Sequence, residues 1–265
     1  MGGSDLFSMA GKRILVTGAA GHIGRLLCEY LLSDGAIVYA TDVDRKGLDV
    51  LKSAGTNAQG SLQTFVADLS DEGERVELVR AVSESTRFLD GTVFAAAFVG
   101  TSGLEGWAVD FAEQSIASWR RALELNLTAP FHLTQLLHGL LSEGSNPSVV
   151  NLGSIYGRVG PDWALYEGLS MSNPAAYAAS KGGLLQLTRW LAATLAPRIR
   201  VNIVSPGGIE RGQSTKFRER YEQKTPLGRM AQEDDVVGQI VNCLSEASLY
   251  VTGQEIVVDG GYSTI

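Results

Sequence analysis

Two groups of residues in this 265-residue chain have types and spacing suited to chemistry. The first is Thr17-Gly18-Ala19-Ala20-Gly21-His22-Ile23-Gly24, which follows a short β-branched run and opens a segment of helical period. In a strand-to-helix turn Gly18 permits the tight bend, Gly21 lets the backbone approach a pyrophosphate, and Gly24 lets the helix pack closely on the strand. The helix N-terminus then offers unpaired N–H groups to an anion. A second apolar run, Ala36 to Thr41, ends at Asp42, 18 residues after Gly24. A carboxylate at that point hydrogen-bonds the ribose hydroxyls of NAD and repels the 2′-phosphate of NADP, so the expected cofactor is NAD rather than NADP. Arg45 and Lys46 lie close enough to soften the discrimination. Asp68-Leu69, closing a third run, either meets the adenine edge or supplies loop polarity, with Ser70 as cap of the next helix.

The second group runs from Asn173 to Lys181. Asn173 reads as an N-cap and Pro174 as the first helical residue. Tyr177 and Lys181 are then four apart on one helix face, about one turn from its start. A nearby ammonium and the helix dipole both favour phenolate, which predicts a tyrosine moved from about 10 towards neutrality and a device for proton transfer.

These residues need a frame. Seven strands are predicted, at Arg13 to Thr17, Ala36 to Thr41, Gln63 to Ala67, Thr92 to Ala97, Ser148 to Leu152, Arg200 to Val204 and Glu255 to Val258. Between them helical period is read near 22–34, 45–54, 71–85, 115–142, 174–196 and 233–246. That alternation predicts an α/β fold: one doubly wound domain over 12–265, with a seven-stranded, mainly parallel sheet flanked by helices. Residues 1–11 read as a flexible leader without the features of a secretory signal. With 45% apolar and 19% charged residues the chain has the composition of a folded protein. Its balance of 22 basic against 29 acidic residues, −7 overall, gives no global field for nucleic acid or an anionic bilayer. Cys28 and Cys243, far apart in sequence, make neither a disulfide framework nor a metal site, and a reducing cytoplasm is the expected location. His132 and His138 lack metal-ligand companions, and no metal is called for.

From Lys12 to Ser263 the chain resembles the short-chain dehydrogenase/reductase family. The resemblance is carried by the glycine turn, Asp42, Asn126 within Leu125-Asn126-Leu127, Ser154, Tyr177 with Lys181, the Arg200 to Gly207 strand and turn, and Val258 to Gly261. It implies a single doubly wound Rossmann-type domain and hydride transfer between nicotinamide and a carbinol or carbonyl carbon. Tyr177 would be general acid/base and Ser154 would orient the substrate oxygen. Lys181 would hold the nicotinamide ribose and lower the tyrosine pKa, and Asn126 would hold a relay water. Pro206, Gly207 and Ile209 would line the nicotinamide side, and 207–230 would form a substrate lid. The resemblance also implies a homotetramer or homodimer.

Three departures from the family pattern stand out. Ala95-Ala96-Ala97-Phe98 replaces Asn-Asn-Ala-Gly, which removes an amide that ties strands together and puts local rigidity in question. Arg211 replaces the Thr of Pro-Gly-x-x-x-Thr, with Ser214 or Thr215 as possible stand-ins. Ser154 and Tyr177 are 23 apart, about ten more than usual, and the extra segment, 155–172, is expected over the active site. Its Tyr166 to Pro174 run is similar to a subgroup associated with flagellin and surface-polysaccharide modification. Trp163 and Tyr166 could face a sugar, Asp162 and Glu167 could accept hydroxyls, and Arg158 or Arg211 could clamp a phosphate. The reading is therefore an NAD-dependent alcohol/carbonyl oxidoreductase on a sugar or other polar substrate. Its alternatives are an epimerase or dehydratase of a nucleotide sugar and a non-catalytic NAD-binding scaffold.

Overall fold

Strands covered by helices on both faces must be apolar on both, and the central runs here are. In the computed structural model, which describes residues 6–169 and 171–265, they form a seven-stranded, wholly parallel sheet in the order β3-β2-β1-β4-β5-β6-β7. The strands are β1 (Arg13–Thr17), β2 (Ile37–Asp42), β3 (Ser61–Val66), β4 (Gly91–Phe94), β5 (Ser148–Leu152), β6 (Arg200–Pro206) and β7 (Glu255–Val258). The helices are α1 (His22–Ser33), α2 (Arg45–Ala54), α3 (Glu72–Ser85), α4 (Ile116–Leu123), α5 (Ala129–Glu143), α6 (Ala175–Leu195), α7 (Thr215–Lys224) and α8 (Glu233–Leu244). Strand side chains alternate between two cores. Ile14, Val16, Val38 and Val150 pack with α1, α2 and α8, whereas Leu15, Tyr39 and Val149 pack with α3, α5 and α6.

The structure departs from the sequence expectations at several points. The expected 115–142 helix is interrupted by a π-helical turn, Glu124–Thr128, between α4 and α5. β4 stops at Phe94 instead of Ala97, because the Ala95 and Ala96 amides leave the ladder and donate to Thr17 Oγ1 at 3.1 and 3.2 Å. Asp71, not Ser70, caps α3 by accepting from the Glu74 amide. Pro174, not Asn173, is the N-cap residue of α6, and the Asn173 amide atoms are buried without a hydrogen-bond partner among the described residues. Residues 1–5 of the expected leader lie outside the described residues, but the leader reading does not extend to 11. Met9 is fully buried, its amide donates to Asp34, and the Leu6 carbonyl accepts from Ala247. Among the described residues no helix is long and apolar enough to cross a membrane.

Candidate active site

The glycine turn joins β1 to α1 in the conformation its residues allow. Gly18 has φ +65°, and a Cβ there would stand 2.6 Å from the Ala96 amide nitrogen. A Cβ on Gly24 would collide with the Gly18 carbonyl, so only glycine permits this approach of helix to turn. Gly21 is the N-cap residue and has no side chain to satisfy the first amides of α1. An anion can use those amides. His22 is exposed beside them, and Ile23 is buried beneath.

Asp42, at the end of β2, accepts the Ala20 amide at 2.9 Å through one oxygen and the Asp44 amide at 2.9 Å through the other. Its carboxylate is therefore fixed against the glycine turn. Arg45 and Lys46 are exposed at the start of α2. The Asp68 carboxylate is taken up by the Ser70 amide and hydroxyl, which favours loop polarity over adenine contact for that side chain. The Leu69 carbonyl accepts from Arg75, a buried guanidinium that also bonds His132 Nδ1 and Glu124. His132 is thereby part of the α3–α5 packing.

At the C-terminal ends of β4, β5 and β6 the second group assembles. Ser154, buried just past β5, accepts the Tyr156 amide at 3.2 Å and stands close enough to Tyr177 to act on its phenol. Lys181 is buried one turn beyond Tyr177, 5.8 Å from its ring centroid, and donates to the Leu152 carbonyl at 2.7 Å. Asn126, in the π-helical turn, accepts from Phe98 N at 2.8 Å and donates to Phe98 O and Ser180 Oγ. The Ser180 hydroxyl in turn donates to the Tyr177 carbonyl. Asn126 thus joins the loop after β4 to α6, and together with Thr17 it supplies the tie that the Ala95-Ala96-Ala97-Phe98 replacement removes.

The electrostatics differ from the expectation for Tyr177. Burial raises its pKa above the usual tyrosine value, against lowering by the Ser154 hydroxyl and the Arg211 charge. Burial likewise pushes Lys181 down to about 8. The ammonium is engaged by Leu152, and desolvation outweighs its proximity to the phenol.

The 155–172 segment and α7 form one unit around Leu165, Phe217, Tyr221 and Met230. An aromatic column runs through it, Trp163 to Tyr166 to Phe217 to Tyr221 to Tyr262, with ring centroids 5.8, 5.5, 6.0 and 4.7 Å apart. Tyr221, within the column, accepts the Gly208 amide at 2.6 Å, which fixes the turn after β6. Pro206 closes β6, Gly207 N donates to Val258 O, and Ile209 bridges to Ala231. Ser214 caps α7 and Thr215 begins it, so the Ser214 hydroxyl is engaged.

Several substrate expectations change. Asp162 is occupied by the Ala164 amide and Lys224, and Arg158 faces Glu255 on β7 at 3.6 Å. Tyr166 donates to or accepts from Tyr156 at 2.7 Å and is largely built into the column. Trp163 and Glu167 remain exposed, and with Tyr166, Asp110 and Met171 they line a cleft of about 390 Å³. Ser170 lies outside the described residues. Spacing gave no sign of Gln114, Tyr221 or Glu233, whose partners lie 61, 13 and 22 positions away.

A family model described as Enoyl-(Acyl carrier protein) reductase matches residues 18–263, nearly the whole chain. The chain belongs to the short-chain dehydrogenase/reductase family. Among the relatives of this dehydrogenase/reductase is the 3-oxoacyl-[acyl-carrier-protein] reductase of Thermotoga maritima, 31% identical over 96% of the chain and 98% of the relative. The post-translational flagellin modification protein A of Campylobacter coli is 30% identical over 95% and 98%. A Pseudomonas aeruginosa structure described as an RhlG/NADP active-site complex superposes with a TM-score of 0.85, at 27% identity, over 97% of this chain and 98% of that one.

Proposed function

We propose that this dehydrogenase/reductase interconverts a secondary alcohol and a carbonyl on a sugar or other polar substrate, with NAD(H) as cofactor. The observation that carries the reading is the grouping of Ser154, Tyr177 and Lys181, with Lys181 Nζ 5.8 Å from the tyrosine ring centroid, at the same end of the sheet as the glycine turn. The residues present fit a nicotinamide dinucleotide: Gly18 and Gly24 hold the turn in a close-packed shape that no Cβ would allow, α1 has an uncapped N-terminus, and Asp42 stands at the end of β2. Such a cofactor supplies or accepts the hydride. Gly18 to Gly24 would hold its diphosphate, Asp42 its adenosine ribose, and Pro206, Gly207 and Ile209 its nicotinamide end.

The chain's own chemistry is orientation and one proton. Ser154 Oγ positions the substrate oxygen, and Tyr177 Oη gives that oxygen a proton in reduction or takes one in oxidation. Lys181 stands below the tyrosine and fixes its approach. Asn126 holds the loop after β4 to the start of α6, so the proton carrier does not drift. The aromatic and hydroxyl-accepting rim of Trp163, Tyr166 and Glu167 suits a sugar face, and the likeness to a flagellin modification protein is in keeping with that class. Exposed Phe131 on α5 and Trp190 on α6 support self-association through those helices.

Fluorescence titration with NADH and NADPH tests the cofactor. Tighter NADH binding is expected from Asp42, and an NADPH preference would overturn that assignment. A turnover screen of sugars, polyols and 3-oxoacyl thioesters tests the substrate class. Activity confined to thioesters would remove the sugar reading and leave the oxidoreductase.

A further inference from the structure

Two separate parts of the chain converge on one carboxylate oxygen of a third. Arg211, in the loop after β6, donates through Nε to Glu233 Oε1 at 3.0 Å, and His22 Nδ1, at the start of α1, lies 3.8 Å from the same oxygen. Glu233 is the first residue of α8, which shares a core with α1. The loop that carries Arg211 is itself braced. Gln213 accepts the Arg211 amide at 2.7 Å and donates to the Ile209 carbonyl at 2.7 Å. The guanidinium also lies near enough to Tyr177 for its charge to act on the phenol.

Arg211 is therefore tied through Glu233 to the start of α1, and its charge reaches Tyr177. A dinucleotide lying from Asp42 to Tyr177 must pass its diphosphate between those two points. Arginine presents five N–H donors in a planar fork suited to phosphate oxygens. Only Nε is used by a side chain among the described residues, which leaves both Nη groups available. The protein has no general positive field, at −7 overall, so an anion here depends on a local charge of this kind.

We propose that Arg211, aimed by Glu233, clasps the diphosphate of the dinucleotide from the side opposite α1, in place of the hydroxyl that the family pattern puts at this position. The inference rests on the dinucleotide reading above. Glu233 is a positioning residue, because it acts by holding the guanidinium across the crevice.

The test is equilibrium binding of NADH and of ADP-ribose, which has the diphosphate but no nicotinamide, to wild-type protein and to Arg211→Gln, Arg211→Lys and Glu233→Gln. Arg211→Gln is expected to weaken both ligands about tenfold or more, in equal proportion. Arg211→Lys should recover part of the loss, and Glu233→Gln should weaken both about threefold with an unchanged circular dichroism spectrum. Unaltered affinity for both ligands in Arg211→Gln would overturn the clasp. So would a loss for NADH alone, which would put Arg211 at the nicotinamide. A third overturning result is a loss seen only for glucose 6-phosphate, which would assign the guanidinium to a substrate phosphate. If Arg211→Gln does not fold, the lysine and Glu233 variants decide on the same terms. Failure of the wild-type protein to bind NADH or NADPH would instead remove the dinucleotide reading itself, a separate result.

Discussion

Gln114 Oε1 accepts the Ala175 amide at 3.0 Å, so a residue ahead of α4 caps the helix that carries Tyr177 and Lys181. The helix cannot cap itself here, since its N-cap residue is Pro174. Gln114→Ala should destabilise the protein by the order of a lost N-cap, about 1 kcal/mol. Because the freed helix end lies two residues before Tyr177, the same variant should lower kcat several-fold while leaving the Kd for NADH unchanged. Thermal melts and single-turnover rates check the two parts. A fall in melting temperature with unchanged kcat would mean that the cap serves stability only.

The contrast between Gln114 and Asn173 shows what a sequence can carry. Asn173-Pro174 has the local chemistry of a helix start, and the start is within one residue of the expected place, but the cap itself is supplied from 61 positions away. The break in the long helix at 124–128 is similar. Nothing in Glu124 to Thr128 interrupts helical period, and the turn is held by Asn126 bonds to Phe98 and Ser180. Arg158 meets Glu255 on the last strand, a pairing that sheet order decides. Strands, by contrast, were legible because apolar runs end sharply at polar or glycine residues. Asp42 falls at the end of β2, and β1, β5 and β7 span the expected residues. The glycine turn was legible for the same local reason, since its constraints lie within eight residues.

Tyr177 offers a prediction about pH. Burial raises its pKa, so the protonated form is present throughout the neutral range. Carbonyl reduction uses that form, and its kcat should be level from about pH 6 to about pH 8. Alcohol oxidation needs the phenolate, and its rate should climb with pH over the same interval. Steady-state profiles in both directions check this. An oxidation rate that is level across the interval would mean that the bound substrate or cofactor reverses the shift.

Tyr221→Phe removes the acceptor for the Gly208 amide but leaves the aromatic column intact. The half-buried N–H left without its partner costs about 1 kcal/mol. The effect should be local to the turn after β6. KM for the cofactor should rise more than the melting temperature falls, and hydrogen exchange should quicken at 207–209 before it quickens in β6. Uniformly faster exchange across the sheet would show instead that Tyr221 supports the whole core.

Lys181 sets function against stability in a way that pH can separate. Burial lowers its pKa from 10.5 to about 8. Below about 8 both folded and unfolded chains hold the proton, and the folded protein carries the full cost of a buried ammonium. Between about 8 and 10.5 the unfolded chain keeps the proton that the folded one has shed, so unfolding takes up a proton and this contribution to stability rises with pH. The depression corresponds to about 3 kcal/mol, against about 1.5–3 kcal/mol for the charged-donor bond to the Leu152 carbonyl. Lys181→Met should therefore abolish turnover by orders of magnitude and yet be the more stable protein at neutral pH. Its advantage over wild type should shrink as pH rises through 8 and beyond. Urea unfolding at three pH values gives the sign directly, and a variant less stable than wild type at pH 7 would mean that the Leu152 bond outweighs the desolvation of the ammonium.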